Sequence, residues 1–321
     1  MKSRNGSGRS KPRTRTLWIT DPDVTLDHAA DTSLSLIEAL ESQGVACDRI
    51  DPSQLTLPTT ESARPLVEYS RIYYRVDPPV DEAYEFPLRL LISEARRLGR
   101  DPDRWISNPP SLLLSTSEKL IGWELGLAPP GLVAASSSNL ADFCRRLSSK
   151  GHRVVLKPLH LAQSREIAEA KEPSLESDLK RLTASETRPI LAQLLLPGVE
   201  TQGETRFWFH NGTLLGALQK RPKTGGWLIN MDAGSTLEPA SPQQMVRLRS
   251  KTNRVSAYLK KHRIEFAAVD FIDGYVTDFN ITSPGLLREL GRLTNRDWAS
   301  WVARRMARSL RPNPVARRQR S

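Results

Sequence analysis

Residues 269–285 read VDFIDGYVTDFNITSPG. Two strand-like runs flank Asp273-Gly274, a dipeptide suited to turning a β-hairpin. Apolar or aromatic side chains occupy odd positions (Val269, Phe271, Tyr275, Phe279, Ile281), and Asp270, Asp278 and Asn280 occupy even ones. Strand side chains alternate faces, so this parity carries information. A strict two-residue turn would pair Ile272 with Tyr275 and set odd positions of one strand beside even positions of the other. The parity therefore predicts a three-residue or bulged turn, with Gly274 in the left-handed bulge position and all three oxygen-bearing side chains on one sheet face. Two carboxylates and an amide gathered there repel and stay poorly satisfied unless a cation sits among them, and oxygen-only ligation suits Mg²⁺. A solvated acidic sheet face is the competing reading of the same spacing.

Moving upstream, RFWFHNGTLLGALQ (206–219) holds a second hairpin with Asn211-Gly212 as its turn. A long helix over about 241–262 separates the two hairpins, and an amphipathic helix over about 296–310 follows them. Between 117 and 194 the pattern predicts helices at 117–125, 138–150 and 174–182, with strands RVVLK (153–157) and ILAQL (190–194). Before residue 116 the order alternates: strand TLWIT (16–20), a helix over 32–43 ending at Gly44, a strand at 46–50, strand RIYYR (71–75), a helix over 84–98 and strand WISN (105–108). Such alternation predicts an open parallel sheet, with ligands beyond the carboxyl ends of its strands. Asp21 and Arg75 lie at two of those ends. The fold class is thus α/β, an N-terminal open parallel-sheet domain (16–116) followed by an α+β domain (117–310).

The formal charge of the 321 residues is +11, and its location decides its meaning. Residues 1–15 hold six Lys or Arg and residues 304–321 hold seven, with no acid in either stretch, so residues 16–303 come to −2. A nearly neutral body is not the footprint of a nucleic-acid-binding fold. The ends read as a disordered basic arm (1–15) and tail (311–321). The arm has no apolar core segment and no run reaches membrane-spanning length, which predicts a soluble cytoplasmic protein. Cys47 and Cys144 lack disulfide or zinc-site spacing, and the histidines show no ligand spacing.

The stretch AVDFIDGYVTDFNITSPGLLREL (268–290) resembles the C-terminal signature of bacterial glutathione synthetase, an ATP-grasp ligase. The likeness continues, in the same order, through YYRVDPPVD (73–81), ISNPPSLLLSTSEKL (106–120), VVLKPL (154–159), ILAQLLLPGV (190–199) and GETRFWFHNG (203–212). It covers roughly residues 16–300, and several motifs in register are far more specific than one. The resemblance implies an ATP-grasp domain over 117–310 that uses ATP and Mg²⁺, with Mn²⁺ as an alternative, on a small-molecule or short-peptide substrate; it also admits a homo-oligomer. By the same resemblance Asp270, Asp278 and Asn280 would hold the metal ions. Lys119, Lys157, Glu204 and the hinge strand Gln193, Leu194, Leu195 and Leu196 would bind the nucleotide. Arg206, Arg221 and Asn230 would act on the transferred phosphoryl group, Arg75 would face the peptide substrate, and Thr282 and Ser283 would hold the amine.

One departure stands out. After LKPL the family carries a glycine-rich loop that covers the phosphates with backbone N–H groups, because only glycine permits so close an approach. Here the segment reads HLAQSREIAEAKEP, with no glycine between Gly151 and Gly198. Gln163, Ser164 or Arg165 would have to replace those contacts with side chains. Glu204 and Asp278 also stand where the family pattern has Asp and Glu, exchanges that keep the charge. The expected activity is ATP-dependent joining of γ-glutamylcysteine and glycine through an acylphosphate. The alternatives are a nucleotide-binding or regulatory protein without catalysis, and a ligase for another acid and amine.

Overall fold

The computed structural model describes residues 14–22, 32–57, 65–162, 164–231 and 233–310. Residues 1–13 and 311–321, most of the expected disordered arm and all of the tail, lie outside the described residues. Arg15, placed in the arm from sequence, instead opens the first strand and pairs with Asp48 at 2.6 Å. No helix among the described residues is long and apolar enough to cross a membrane.

Strands β1 (Arg15–Thr20), β2 (Ala46–Ile50), β3 (Arg71–Arg75) and β4 (Ile106–Ser107) form the expected parallel sheet, in the order β2-β1-β3-β4. A second sheet, antiparallel, contains β5 (Gly131–Ala134), β6 (Val154–Pro158), β7 (Ala168–Glu169) and β8 (Ile190–Leu194) in the order β5-β8-β6-β7. The third holds both hairpins, β9 (Glu204–His210), β10 (Thr213–Arg221), β11 (Thr236–Pro239), β12 (Phe266–Ile272) and β13 (Tyr275–Asn280), in the order β11-β10-β9-β12-β13. Strands β5, β7 and β11 had no sequence forecast. The helix expected over 241–262 is interrupted at Leu248, which is buried in the core, and the one expected over 117–125 is a 3₁₀ turn (Glu118–Leu120) followed by a short helix (Ile121–Glu124).

Apolar packing explains how the sheets are held. The first and third share cores in which Leu17, Ile19, Ile72 and Tyr74 join Phe207, Phe209, Val269 and Phe271, while Trp18 and Tyr73 join Trp208 and Phe266. The second sheet has a core of its own, built on Leu140, Leu156, Leu179 and Ile190. A small apolar cluster, Val155, Leu195, Leu196, Val199 and Ile272, bridges the second sheet to the third. That seam is where a ligand can enter without disturbing a main core.

The Asp273-Gly274 turn is tighter than parity suggested. Asp273 and Gly274 have φ of 49° and 82°, a type I′ turn, and Ile272 pairs with Tyr275. The three-residue turn expected here is thus corrected. The register shifts one step later: Phe271 pairs with Val276 and Asp270 with Asp278, which leaves Thr277 as a bulge. Tyr275, expected on the apolar face, is consequently exposed, and Val276 takes its place in the core. Beyond the bulge the parity is restored.

The turn also anchors the neighbouring sheet. Gly198, just after the hinge residues, donates its N–H to Asp273 Oδ2 at 2.9 Å, and a Cβ on Gly198 would lie 1.9 Å from Asp273 Oδ1. Gly198→Ala is therefore expected to displace that carboxylate and cost roughly 1 kcal/mol, the worth of one hydrogen bond, read as a shift of the urea midpoint.

Candidate active site

At the seam lies a cavity of about 450 Å³, within the range of small-molecule sites. One wall comes from the second sheet and its hinge: Val155, Lys157, Gln193 and Leu194–Leu196. Facing it are Glu204, Arg206, Lys220, Asp270, Ile272, Asp278 and Asn280 of the third sheet. Arg75, Asp21 and Asp77 close the end beneath the parallel sheet together with Thr282 and Ser283. The walls differ in character. Leu195, Leu196, Val155 and Ile272 make an apolar slot, and the third sheet supplies charge.

The charged wall is built by register. Asp270 pairs across the sheet with Arg206 on one side and Asp278 on the other, so all three share a face. Arg206 Nε and Nη2 donate to the two Asp270 oxygens at 2.8 and 2.6 Å, and Lys220 Nζ donates to Oδ2 at 3.1 Å. Burial works against the Asp270 carboxylate, but Arg206 and Lys220 overcome it and hold it well below the usual carboxylate range. Lys220 also pairs with Glu204, whose pKa is raised by burial and by the Asp270 charge. Lys157, at the end of β6, donates to Gln193 Oε1 at 3.0 Å and to the Thr277 carbonyl at 3.2 Å. Burial lowers its pKa, with Asp278 and Glu204 opposing.

Asn280 gives its amide N–H to the Ala268 carbonyl at 3.1 Å and to Asp270 at 3.4 Å, which leaves its amide oxygen as an acceptor. Asp278 accepts the N–H of Phe279 at 3.1 Å. Two carboxylates and an amide oxygen form an oxygen-only donor set that fits Mg²⁺ completed by phosphate and water. Among the described residues no three His, Cys, Asp or Glu side chains gather as a metal site, so the amide is needed to make up the trio.

Of the residues singled out from sequence, Arg75, Lys119, Lys157, Gln193, Leu194, Leu195, Leu196, Glu204, Arg206, Asn230, Asp270, Asp278, Asn280, Thr282 and Ser283 all line this cavity. Arg221 does not. It pairs with Glu238 at 2.6 Å and with the Thr201 carbonyl, and its side chain is 43% exposed. The reason is a second bulge. Asn211 and Gly212 form a type I′ turn, but Leu214 pairs with Phe209 and Gly216 with Trp208, so Leu215 is extra and Lys220 rather than Arg221 falls on the Glu204 face. An unbulged hairpin would have turned Arg221 inward; the family resemblance assigns the role to Arg221, and the structure puts its neighbour Lys220 on the cavity wall instead.

At the parallel-sheet end, Arg75 is buried, bonded to Ser33 Oγ at 2.9 Å and the Pro284 carbonyl at 3.0 Å. Ser283 donates to Asp77, whose own N–H reaches Asp21 at 2.7 Å. The glycine-free segment after β6 also lines the cavity. Ser164 and Glu166 take φ of 60° and 54°, and Ser164 Oγ donates to the Ile229 carbonyl at 2.6 Å across the opening. Lys119 Nζ donates to the Leu161 carbonyl of the same segment. Arg165 is part of the lining, and Gln163 lies outside the described residues.

Residues 118–295 match the family described as prokaryotic glutathione synthetase, ATP-grasp domain. The glutathione synthetase of Prochlorococcus marinus (strain MIT 9313) is 31% identical, over 92% of this chain and 99% of that protein. The chain belongs to the prokaryotic glutathione synthetase family. The glutathione synthetase of Parasynechococcus marenigrum (strain WH8102) is 30% identical over 91% of the chain. Among solved structures, D-cycloserine synthetase DcsG superposes with a TM-score of 0.65 at 18% identity over 92% of the chain and 100% of its own. ATP-grasp ligase PsnB, complexed with a phosphomimetic variant of minimal precursor, Mg and ADP, gives 0.65 at 14% over 94% of the chain and 99% of its own. These likenesses share the fold, and the family assignment makes this glutathione synthetase relative an ATP-grasp ligase.

Proposed function

We propose that the protein joins γ-glutamylcysteine to glycine with ATP, through an acylphosphate. The observation that carries this reading is the gathering of Asp270, Asp278 and Asn280 with Arg206 and Lys220 on one wall, opposite Lys157 and an apolar slot at the hinge. In this reading the slot of Leu194–Leu196 and Ile272 takes the adenine. Lys119 and Lys157 meet the phosphates, Asn230 lies beside the transferred group, and Arg75 holds a carboxylate of the peptide. Mg²⁺, held by Asp270, Asp278 and Asn280, would neutralise charge on the phosphates. A carboxylate oxygen of the acid attacks the γ-phosphorus and ADP leaves. The amine, held at Thr282 and Ser283, then attacks the acyl carbon, phosphate leaves and the amine proton passes to solvent. Arg206 and Lys220 offset charge as it spreads over the transferring group.

The test is ADP release with Mg²⁺-ATP, γ-glutamylcysteine and glycine, repeated with each acceptor omitted. Dependence on both supports the proposal. A second reading rests on the glycine-free segment tied by Ser164 to Ile229, which favours a nucleotide-binding protein without turnover; nucleotide binding with no ADP release would select it. Turnover with a different acid or amine would keep the chemistry and change the substrates.

The bulge at Leu215 adds a direct comparison. Arg221→Ala is expected to change ADP release by no more than about threefold, because an exposed ion pair is worth roughly 1 kcal/mol or less. Lys220→Met, on the cavity face, is expected to lower it by about 10²-fold or more, as for loss of a charge-stabilising donor.

A further inference from the structure

Glu118 sits at the start of the 3₁₀ turn that also carries Lys119, and it is buried, 8% exposed. Its Oε2 accepts the N–H of Ile281 at 2.8 Å and of Thr282 at 3.2 Å. Two consecutive backbone N–H groups aimed at one oxygen form a concave anion-binding site. Here a side chain of the protein, distant in sequence, fills it. The segment so held runs directly from Asn280 to Thr282 and Ser283, between the candidate ion ligands and the candidate amine site.

The two adjacent side chains of this turn reach opposite walls: Glu118 to the end of β13, and Lys119 to the Leu161 carbonyl of the glycine-free segment. Meanwhile Asn108 Nδ2 donates to the Ile281 carbonyl at 2.7 Å, and the Ile281 side chain is buried in the main core. The carbonyl side of this backbone is therefore secured independently. Only its N–H side depends on Glu118, so removing the carboxylate loosens one strand end rather than the fold.

Resting on the ligase reading, we infer that Glu118 is a positioning residue that fixes the backbone of Ile281 and Thr282, and through it the amine-holding end of the cavity. Its role is that of a hydrogen-bond acceptor. That role rests on the two N–H bonds its Oε2 accepts. An amide oxygen at the same place can accept the same bonds.

The full chain, as wild type and as Glu118→Ala, Glu118→Gln and Glu118→Asp, tests this by two measurements. The first is amide hydrogen exchange at Ile281 and Thr282. It is expected to be slow in wild type and Glu118→Gln, and faster by about tenfold or more in Glu118→Ala and in Glu118→Asp, whose shorter arm falls short of both N–H groups. Equal protection in all four would overturn the inference whether or not the protein is a ligase. Glu118→Gln and Glu118→Asp keep the comparison readable if Glu118→Ala fails to fold.

The second is ADP release against amine concentration, with nucleotide affinity measured by competition. Glu118→Ala is expected to raise KM for the amine or lower kcat by about tenfold or more, with nucleotide Kd within about threefold of wild type and Glu118→Gln restoring most of the loss. If Glu118→Gln is as impaired as Glu118→Ala, charge rather than positioning is the function and the inference falls. Slow exchange in wild type and Glu118→Gln without ADP release from any acid and amine would reject the ligase reading and leave the hydrogen-bonding role of Glu118 standing.

Discussion

Asp270→Ala is expected to lose roughly 3–5 kcal/mol of stability, because it strips the partner from a buried charge cluster, and to release no measurable ADP. Asp270 is 1% exposed, and its two oxygens take three bonds from Arg206 and Lys220. Without it, Arg206 and Lys220 would lose the carboxylate they share, with Glu204 and Asp278 as the acids remaining nearby. Urea unfolding gives the stability. A change below about 1 kcal/mol, the worth of an exposed pair, would mean that the cluster contributes nothing net. The same residue sets an acid limit. Its folded-state pKa is depressed relative to the unfolded chain, so its contribution is present in full above the unfolded value of about 4 and is lost as pH falls from there through the folded value. In Asp270→Asn that portion of the acid slope should vanish.

Asp278→Asn is expected to preserve the fold while weakening Mg²⁺-dependent nucleotide binding and ADP release by about 10²-fold or more, since metal neutralisation of phosphate charge is worth several kcal/mol. The contrast with Asp270 is physical. Asp278 is half-buried and its hydrogen bond among the described residues is to the neighbouring Phe279 N–H, so an isosteric amide removes charge without orphaning a cation. Titrating Mg²⁺ at fixed ATP, with circular dichroism as the control for folding, separates the two effects. Unchanged Mg²⁺ and nucleotide affinities in a folded variant would remove Asp278 from its proposed role.

The elements with strong local signals were readable in advance. Alternating strands and helices before residue 116 predict a parallel sheet, and β1, β2 and β3 pair in that way. Asp273-Gly274 and Asn211-Gly212 mark hairpins, and both are type I′ turns with positive φ at each central residue. The spacing of Asp270, Asp278 and Asn280 also foretold a shared face. Glu118 gave no such signal, since a lone glutamate before a lysine is indistinguishable from a solvated helix residue until Ile281 and Thr282, far along the chain, are folded against it.

What the chain determines by local chemistry is where it turns and which runs are strands: dihedral preferences of Asn, Asp and Gly act over two residues, and apolar alternation over six or so. Which face each strand shows to the cavity was decided by tertiary structure. The bulges at Thr277 and Leu215 each shift the pairing by one residue, and a one-residue shift exchanges the two faces of a strand. Leu215 is extra because its side chain is taken up by the core around Trp208 and Leu290, and Thr277 because its hydroxyl reaches Glu204 and the Asp270 carbonyl. Glu204 lies 73 residues from Thr277 and Leu290 lies far beyond Leu215 in the chain, so the choice of Lys220 over Arg221, and of Val276 over Tyr275, exists only once the sheets have packed.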